Sequence, residues 1–171
     1  RVLKARRFGW CIAMSENRIK DEMQVCKAVI INPAGWYLMQ LRDDIPTIAY
    51  PGHWCLFGGA INPGEPEADG MRRELEEELV FRPAVLTPIM RFDYAIPQHG
   101  VRLRQVAVYQ ALIDEAEIAG LELHEGAEMQ FMTPGGLMQQ SKVVPWDLCM
   151  VMMHANVLPH PELLSSSPSL D

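Results

Sequence analysis

The chain has no long unbroken hydrophobic run, few cations for its acids and no paired-cysteine motif. Each lack removes a class of function. No stretch approaches the roughly 20 apolar residues of a membrane-spanning helix, so no membrane partner is expected. The basic start, Arg1 to Arg7, leads into a short apolar run that Gly9 breaks, with no convincing cleavage site after it. That pattern argues against a secretory signal and makes the cytoplasm the expected location. Lys and Arg number 15 against 22 Asp and Glu, a net charge of −7. Duplex nucleic acid is a poor partner for such a chain, because binding it relies on cations that neutralise phosphates. A small phosphorylated ligand stays open, since a divalent ion can supply positive charge. Cys11, Cys26, Cys55 and Cys149 are widely spaced with no Cys-x-x-Cys pair. Neither a zinc knuckle nor a disulfide framework follows from this spacing, and buried free thiols are the expectation.

What is present suits one globular domain. The 171 residues are 49% hydrophobic, enough for a full core. Apolar runs at Val25–Ile31 and Trp36–Leu41 flank the turn residues Asn32-Pro33-Ala34-Gly35, which predicts a β-hairpin. A short strand, Cys55 to Phe57, precedes Gly58-Gly59. Pro66 suits the first turn of a helix. Ala68, Met71, Leu75 and Leu79 then recur on one helical stripe, the face expected to pack on the core. Further strands are predicted at 86–95, 101–113 and 129–132, with a turn near Pro97–Gly100 and a loop over 115–126. A short helix is expected at 134–140 and a last one at 146–156. Met150, Met152 and Met153, with Leu148 and Val151, make that last helix apolar nearly all round, which suggests core packing first and a homodimer contact second. Residues 1–20 read as an extension, 21–160 as the domain and 161–171 as a disordered tail.

Seven acids fall between Glu65 and Glu78, and Glu74, Glu77 and Glu78 share one helical face. Like charges so placed repel by roughly 0.2–0.5 kcal/mol per pair. Three carboxylates beside a glycine loop therefore suggest a hard cation, which takes oxygen ligands and leaves room for phosphate. The bland alternative is a solvated acidic face.

Residues 59–81 resemble the Nudix box, Gly-x5-Glu-x7-Arg-Glu-(apolar)-x-Glu-Glu-x-Gly-(apolar). Gly59, Glu65, Arg73, Glu74, Leu75, Glu77, Glu78 and Phe81 match, and Val80 stands where the family carries glycine. A weaker likeness reaches outward to Tyr50–Phe57 and Glu122–Phe131. The resemblance implies an α/β fold, a Nudix-type α/β/α sandwich around a mixed sheet. It also implies a pyrophosphohydrolase dependent on Mg²⁺ or Mn²⁺, acting on a nucleoside diphosphate linked to another group. Glu74, Glu77, Glu78 and the Gly58 carbonyl would hold metal, and Arg73 would orient the carboxylates. Glu65 and Gly59 would support the loop from the outer shell. Glu125 is the candidate for a further catalytic acid outside the box, with Glu128 second and as a weak substrate contact. Trp54 is a weak candidate for stacking on a base, although such residues more often pack in a core.

Val80 is the departure that matters. A left-handed residue normally ends this helix, and a β-branched side chain disfavours that conformation, so the helix exit is expected to differ. Two rival readings are a nucleotide-sensing module without turnover and an isomerase of allylic diphosphates. Retained Glu74, Glu77, Glu78 and Arg73 oppose the first. The second requires a catalytic cysteine in a Cys-His context, and Cys55 here precedes Leu56.

Overall fold

A computed structural model describes residues 22–96 and 101–156. The expected extension, the tail and the turn at 97–100 lie outside the described residues. The strands are β1 (Glu22–Ile31), β2 (Tyr37–Leu41), β3 (Trp54–Cys55), β4 (Thr87–Ile96), β5 (Val101–Leu112) and β6 (Glu128–Met132). The helices are α1 (Glu67–Leu79), α2 (Glu115–Ile118), α3 (Pro134–Met138) and α4 (Pro145–Asn156). Among the described residues, no helix is long and apolar enough to cross a membrane.

The sheet runs β3-β2-β1-β5-β4, with β6 also paired to β2. It is mixed: β1 and β5 are parallel from Glu22↔Leu103 to Ile31↔Leu112, while β5–β4 and β2–β6 are antiparallel. Alternation along the central strands divides the core in two. Cys26, Ala28, Ile30, Ala107, Tyr109 and Ala111 face Met71, Leu75 and Leu79 of α1. Val25, Val29, Val106 and Val108 face Met150 and Val151 of α4. This is the expected α/β/α sandwich. Each fully buried Leu or Met adds on the order of 1.5–3 kcal/mol by leaving water.

The hairpin differs from its expectation. The turn itself forms, with the Asn32 side-chain oxygen accepting the N–H groups of Ala34 and Trp36. Beyond Ile31↔Tyr37, however, β1 and β2 diverge. The loop after β3 fills the gap: Ala28 N–H donates to the Phe57 carbonyl at 3.0 Å, Cys26 N–H to that of Gly59 at 2.9 Å, and Ile61 N–H to that of Gln24 at 2.9 Å. Backbone groups of a central strand must be paired, and here a glycine loop pairs them. Gly58 sits at φ +127, where a Cβ would collide with the Cys26 carbonyl.

The exit of α1 also corrects its expectation. Val80 does adopt the left-handed conformation, at φ 56 and ψ 32. Its N–H donates to the Glu76 carbonyl at 3.1 Å, the bond of an αL cap. Tertiary contacts impose the shape. Phe81 is 4% exposed in the α1-side core, and the last helix carbonyls, Glu78 and Leu79, accept N–H groups from His124 and Glu122 at 2.8 and 3.1 Å. Val80 itself is 43% exposed.

The last helix is less uniform than its composition. Met150 and Val151 are buried, whereas Met153 and Cys149 are exposed. Cys26, Cys55 and Cys149 are free thiols, so Cys149 departs from the expectation that these thiols are buried.

Left-handed strain at a non-glycine residue costs roughly 1–2 kcal/mol, and glycine gives back part of that through its own chain entropy. Val80→Gly is therefore expected to stabilise the fold by up to about 1 kcal/mol, raising the thermal midpoint by a few degrees. A lower midpoint in a thermal melt would show that Val80 is not strained.

Candidate functional site

Three acids of α1 lie at the wrong end of the helix for stability. Glu67 and Asp69 in the first turn complement the helix dipole, but no basic residue occupies the last turn, where Glu76, Glu77 and Glu78 stand. Negative charge at that end costs roughly 0.3–1 kcal/mol per group. The buried stripe of Met71, Leu75 and Leu79 fixes the rotation of the helix, and Glu78 comes with it to 5% exposure.

Arg73 organises the exposed side of this cluster. Its Nε and Nη2 each reach a carboxylate oxygen of Glu65 at 3.0 Å, a bidentate pair. Nη1 donates to Glu74 at 2.7 Å and to Glu77 at 3.2 Å, and Nη2 also holds the Ala60 carbonyl at 2.8 Å. Glu65 closes the loop by accepting the Asn62 N–H at 2.9 Å, and hydrogen bonds from Arg73 and Asn62 pull its carboxyl down to a pKa of about 2. One guanidinium thus ties the glycine loop to two acids of the helix. The Glu74 carboxylate rests on Gly59, where any Cβ would strike it.

Glu78 stands apart from that clamp. Its Oε2 accepts the Gly58 N–H at 3.2 Å. Burial above all, with Glu125 and Glu74 adding repulsion, pushes its pKa up to about 7 against the pull of Lys27 and the Gly58 N–H. Burial also raises Glu74, against the pull of Arg73.

Glu125 arrives from another element. The segment 122–124 docks on the end of α1 through the backbone bonds already described, and the His124 ring lies 3.2 Å from the Glu77 carbonyl. Gln40 of β2 donates to the Glu125 carbonyl at 2.8 Å. These contacts bring the exposed Glu125 side chain within electrostatic reach of both Glu78 and Glu74. Glu128 is exposed at the start of β6. Trp54 is 8% exposed and packs in the α4-side core, the bland outcome for that residue.

Two residues escaped the sequence reading. Lys27, on the α4 face of β1, donates to the Leu56 carbonyl at 2.8 Å and lies 4.0 Å from Asp147. Asp147 is fully buried, accepts the Leu56 N–H at 2.8 Å, and among the described residues keeps Oδ1 without a partner. A lone lysine inside an apolar strand was the available signal, because such a charge needs a partner.

Glu74, Glu77, Glu78 and Glu125 supply hard oxygen donors, the chemistry a divalent ion such as magnesium takes. Among the described residues, no three acids, histidines or cysteines stand in ligating positions, because Arg73 draws Glu74 and Glu77 to itself. Glu77 is 60% exposed at its side chain and free to turn by its rotamers, whereas Glu78 is set by the fold. The donor set fits a cation in kind, and the side chains must regroup to hold one.

Known proteins resemble this chain in sequence and in fold. The Nudix domain family profile matches residues 24–152. An uncharacterised Nudix hydrolase of Pseudomonas aeruginosa is 37% identical over 119 residues, covering 69% of this chain and 67% of that protein. The nucleoside triphosphatase NudI of Escherichia fergusonii is 41% identical over 51 residues, only 30% of this chain and 35% of that protein. Among solved structures, a MutT protein from Methanosarcina mazei superposes with a TM-score of 0.68 at 18% identity, covering 80% of this chain and 95% of that one. With the family profile spanning most of its length and the box residues gathered at one helix end, this chain belongs to the Nudix hydrolase family.

Proposed function

We propose that this protein hydrolyses a pyrophosphate bond in a nucleoside diphosphate linked to another group, with Mg²⁺ or Mn²⁺ as cofactor. The observation that carries the reading is Glu78: a carboxyl buried at 5% exposure, repelled by Glu125 and Glu74, at the loop where backbone can approach a phosphate. A carboxylate so placed is stabilised by a cation more than by water. Glu74, Glu77, Glu78 and the Gly58 carbonyl are the proposed metal ligands. When bound, such an ion withdraws charge from the diphosphate and acidifies a water for attack on phosphorus.

The protein's own groups have separable tasks. Arg73 keeps Glu74 and Glu77 on the loop side of α1, and Glu65 fixes Arg73. Gly59, carrying no Cβ, leaves Glu74 its place against the loop. Glu125, exposed beside Glu78, is the proposed acceptor of the proton from the attacking water. The local likeness to NudI, a nucleoside triphosphatase by name, supports a nucleotide substrate.

Glu78→Gln should lower turnover at least about a hundredfold while leaving the far-ultraviolet circular dichroism unchanged, as for loss of a preorganised charge worth a few kcal/mol. Near-normal activity in that variant removes the site assignment. Glu125→Gln should lose less, and full activity there strikes Glu125 from the mechanism. Tight nucleotide binding with no turnover by the wild type, tested with both ions across a broad nucleotide panel, would favour a sensing module instead.

A stability measurement tests the metal reading without activity. In chelator, the Glu78 pKa of about 7 lies above its ordinary 4.5, so the native state holds that proton more tightly than the unfolded chain does. Its contribution is fully present below 4.5 and is lost as pH rises through about 7, a difference on the order of 3 kcal/mol. In chelator near pH 8, Glu78→Gln should therefore melt higher than the wild type, and the gap should close near pH 4. Saturating Mg²⁺ should raise the wild-type midpoint and leave the variant nearly unmoved. Equal midpoints across the whole pH range would mean that Glu78 carries no such burden.

A further inference from the structure

Asp147 sits where a strand ladder breaks off. The segment 142–144 runs parallel to β3: the Trp54 N–H donates to the Lys142 carbonyl at 3.0 Å, and the Val144 N–H to the Trp54 carbonyl at 2.9 Å. The next rung of such a ladder would carry the Leu56 N–H to the Val144 carbonyl. Pro145 opens α4 instead, and the Val144 carbonyl accepts the Leu148 N–H at 3.0 Å. Leu56 is thus left at 0% exposure with its own N–H and carbonyl to place. Two charged side chains take them. Asp147 Oδ2 accepts the N–H and Lys27 Nζ donates to the carbonyl, both at 2.8 Å.

Stability alone is a poor reason for that pair. A buried ion pair is often no better than apolar residues of the same volume. Asp147 is 0% exposed, and among the described residues its Oδ1 makes no hydrogen bond, so the acid's contact with Leu56 is the bond it is buried to make.

The placing of Leu56 governs the box. Two residues on, Gly58 crosses β1 so closely that a Cβ there would collide with the Cys26 carbonyl and stand 3.1 Å from the Lys27 Cα. The Gly58 N–H meets Glu78 at 3.2 Å. Lys27 therefore lies under Gly58 with its backbone and grips Leu56 with its side chain. We propose that Lys27 and Asp147 are positioning residues for the metal site, fixing Leu56 so that Gly58 turns its N–H to Glu78 and its carbonyl to the cation. This deepens the hydrolase reading and rests on it. The pair touches neither ion nor substrate, and acts as outer-shell partners do, whose loss costs about 10–100-fold in metal affinity or activity.

Two variants of one shape separate position from charge. Asp147→Leu and Asp147→Asn both remove the negative charge, but asparagine keeps an acceptor for the Leu56 N–H. Mn²⁺ binding without nucleotide is read from loss of the free-ion electron paramagnetic resonance signal. It should weaken at least about tenfold in Asp147→Leu and return to within about threefold of wild type in Asp147→Asn. In turnover of a nucleoside triphosphate with Mg²⁺, Asp147→Leu should lower kcat by a similar factor and leave KM within about twofold. Lys27→Met should also weaken Mn²⁺ binding, whereas charge alone would tighten it, because a cation has been removed. If Asp147→Leu does not fold, the double variant Lys27→Met/Asp147→Leu strands no charge and takes its place. Wild-type Mn²⁺ affinity and kcat in the folded variants, or equal losses in Asp147→Leu and Asp147→Asn, would overturn the positioning role while the hydrolase reading stands. The expected order of Mn²⁺ affinities with no turnover by the wild type would keep the pair and remove the hydrolase.

Discussion

Three backbone hydrogen bonds hold residues 57–61 beside β1, in the place a hairpin partner would otherwise fill: Ala28 on Phe57, Cys26 on Gly59, and Ile61 on Gln24. The approach is so close that Gly58 has no space for a side chain. Everything functional hangs from this contact. It brings the Gly58 N–H to Glu78 on one side of the sheet, and on the other it gives Leu56 to Lys27 and Asp147. The inserted loop is therefore the element shared by the α1 acids and the buried Lys27–Asp147 pair, and a shift in it would disturb both.

The end of α1 is the second junction, and it shows local preference overridden. A valine in the left-handed region carries strain that glycine would not. The structure keeps that conformation because the buried Phe81 and the docking of residues 122–124 on the last carbonyls leave no other exit. The same docking delivers Glu125 to the neighbourhood of Glu78. Strain at Val80 and the arrival of a fourth acid are thus two consequences of one contact.

Electrostatics in the site are most unbalanced at Glu78. Arg73 meets Glu65, Glu74 and Glu77, a network in which each acid has a cation at hydrogen-bond distance. Glu78 has a backbone N–H and burial instead, and neighbouring acids add to the cost of its charge. Lys27 pulls in the opposite direction but spends its own hydrogen bond on Leu56. Removing a charge from water without a close partner is expensive, and groups so treated concentrate where a ligand supplies what is missing.

The sequence by itself determined the box, the buried face of α1 and the succession of strands along the chain. A helical stripe such as Met71, Leu75 and Leu79 leaves one way to bury the helix, and Glu74, Glu77 and Glu78 follow from it at fixed angles. Short-range spacing on a helix is a property of the backbone and needs no tertiary knowledge. Tertiary structure alone decided the splaying of the Asn32–Gly35 hairpin, the left-handed Val80 and the Lys27–Asp147 pairing. Each of these depends on groups distant in the chain competing for one space or one hydrogen bond. Local propensity ranks the options at a residue, but a contact made by remote segments carries more free energy than that ranking and chooses among them.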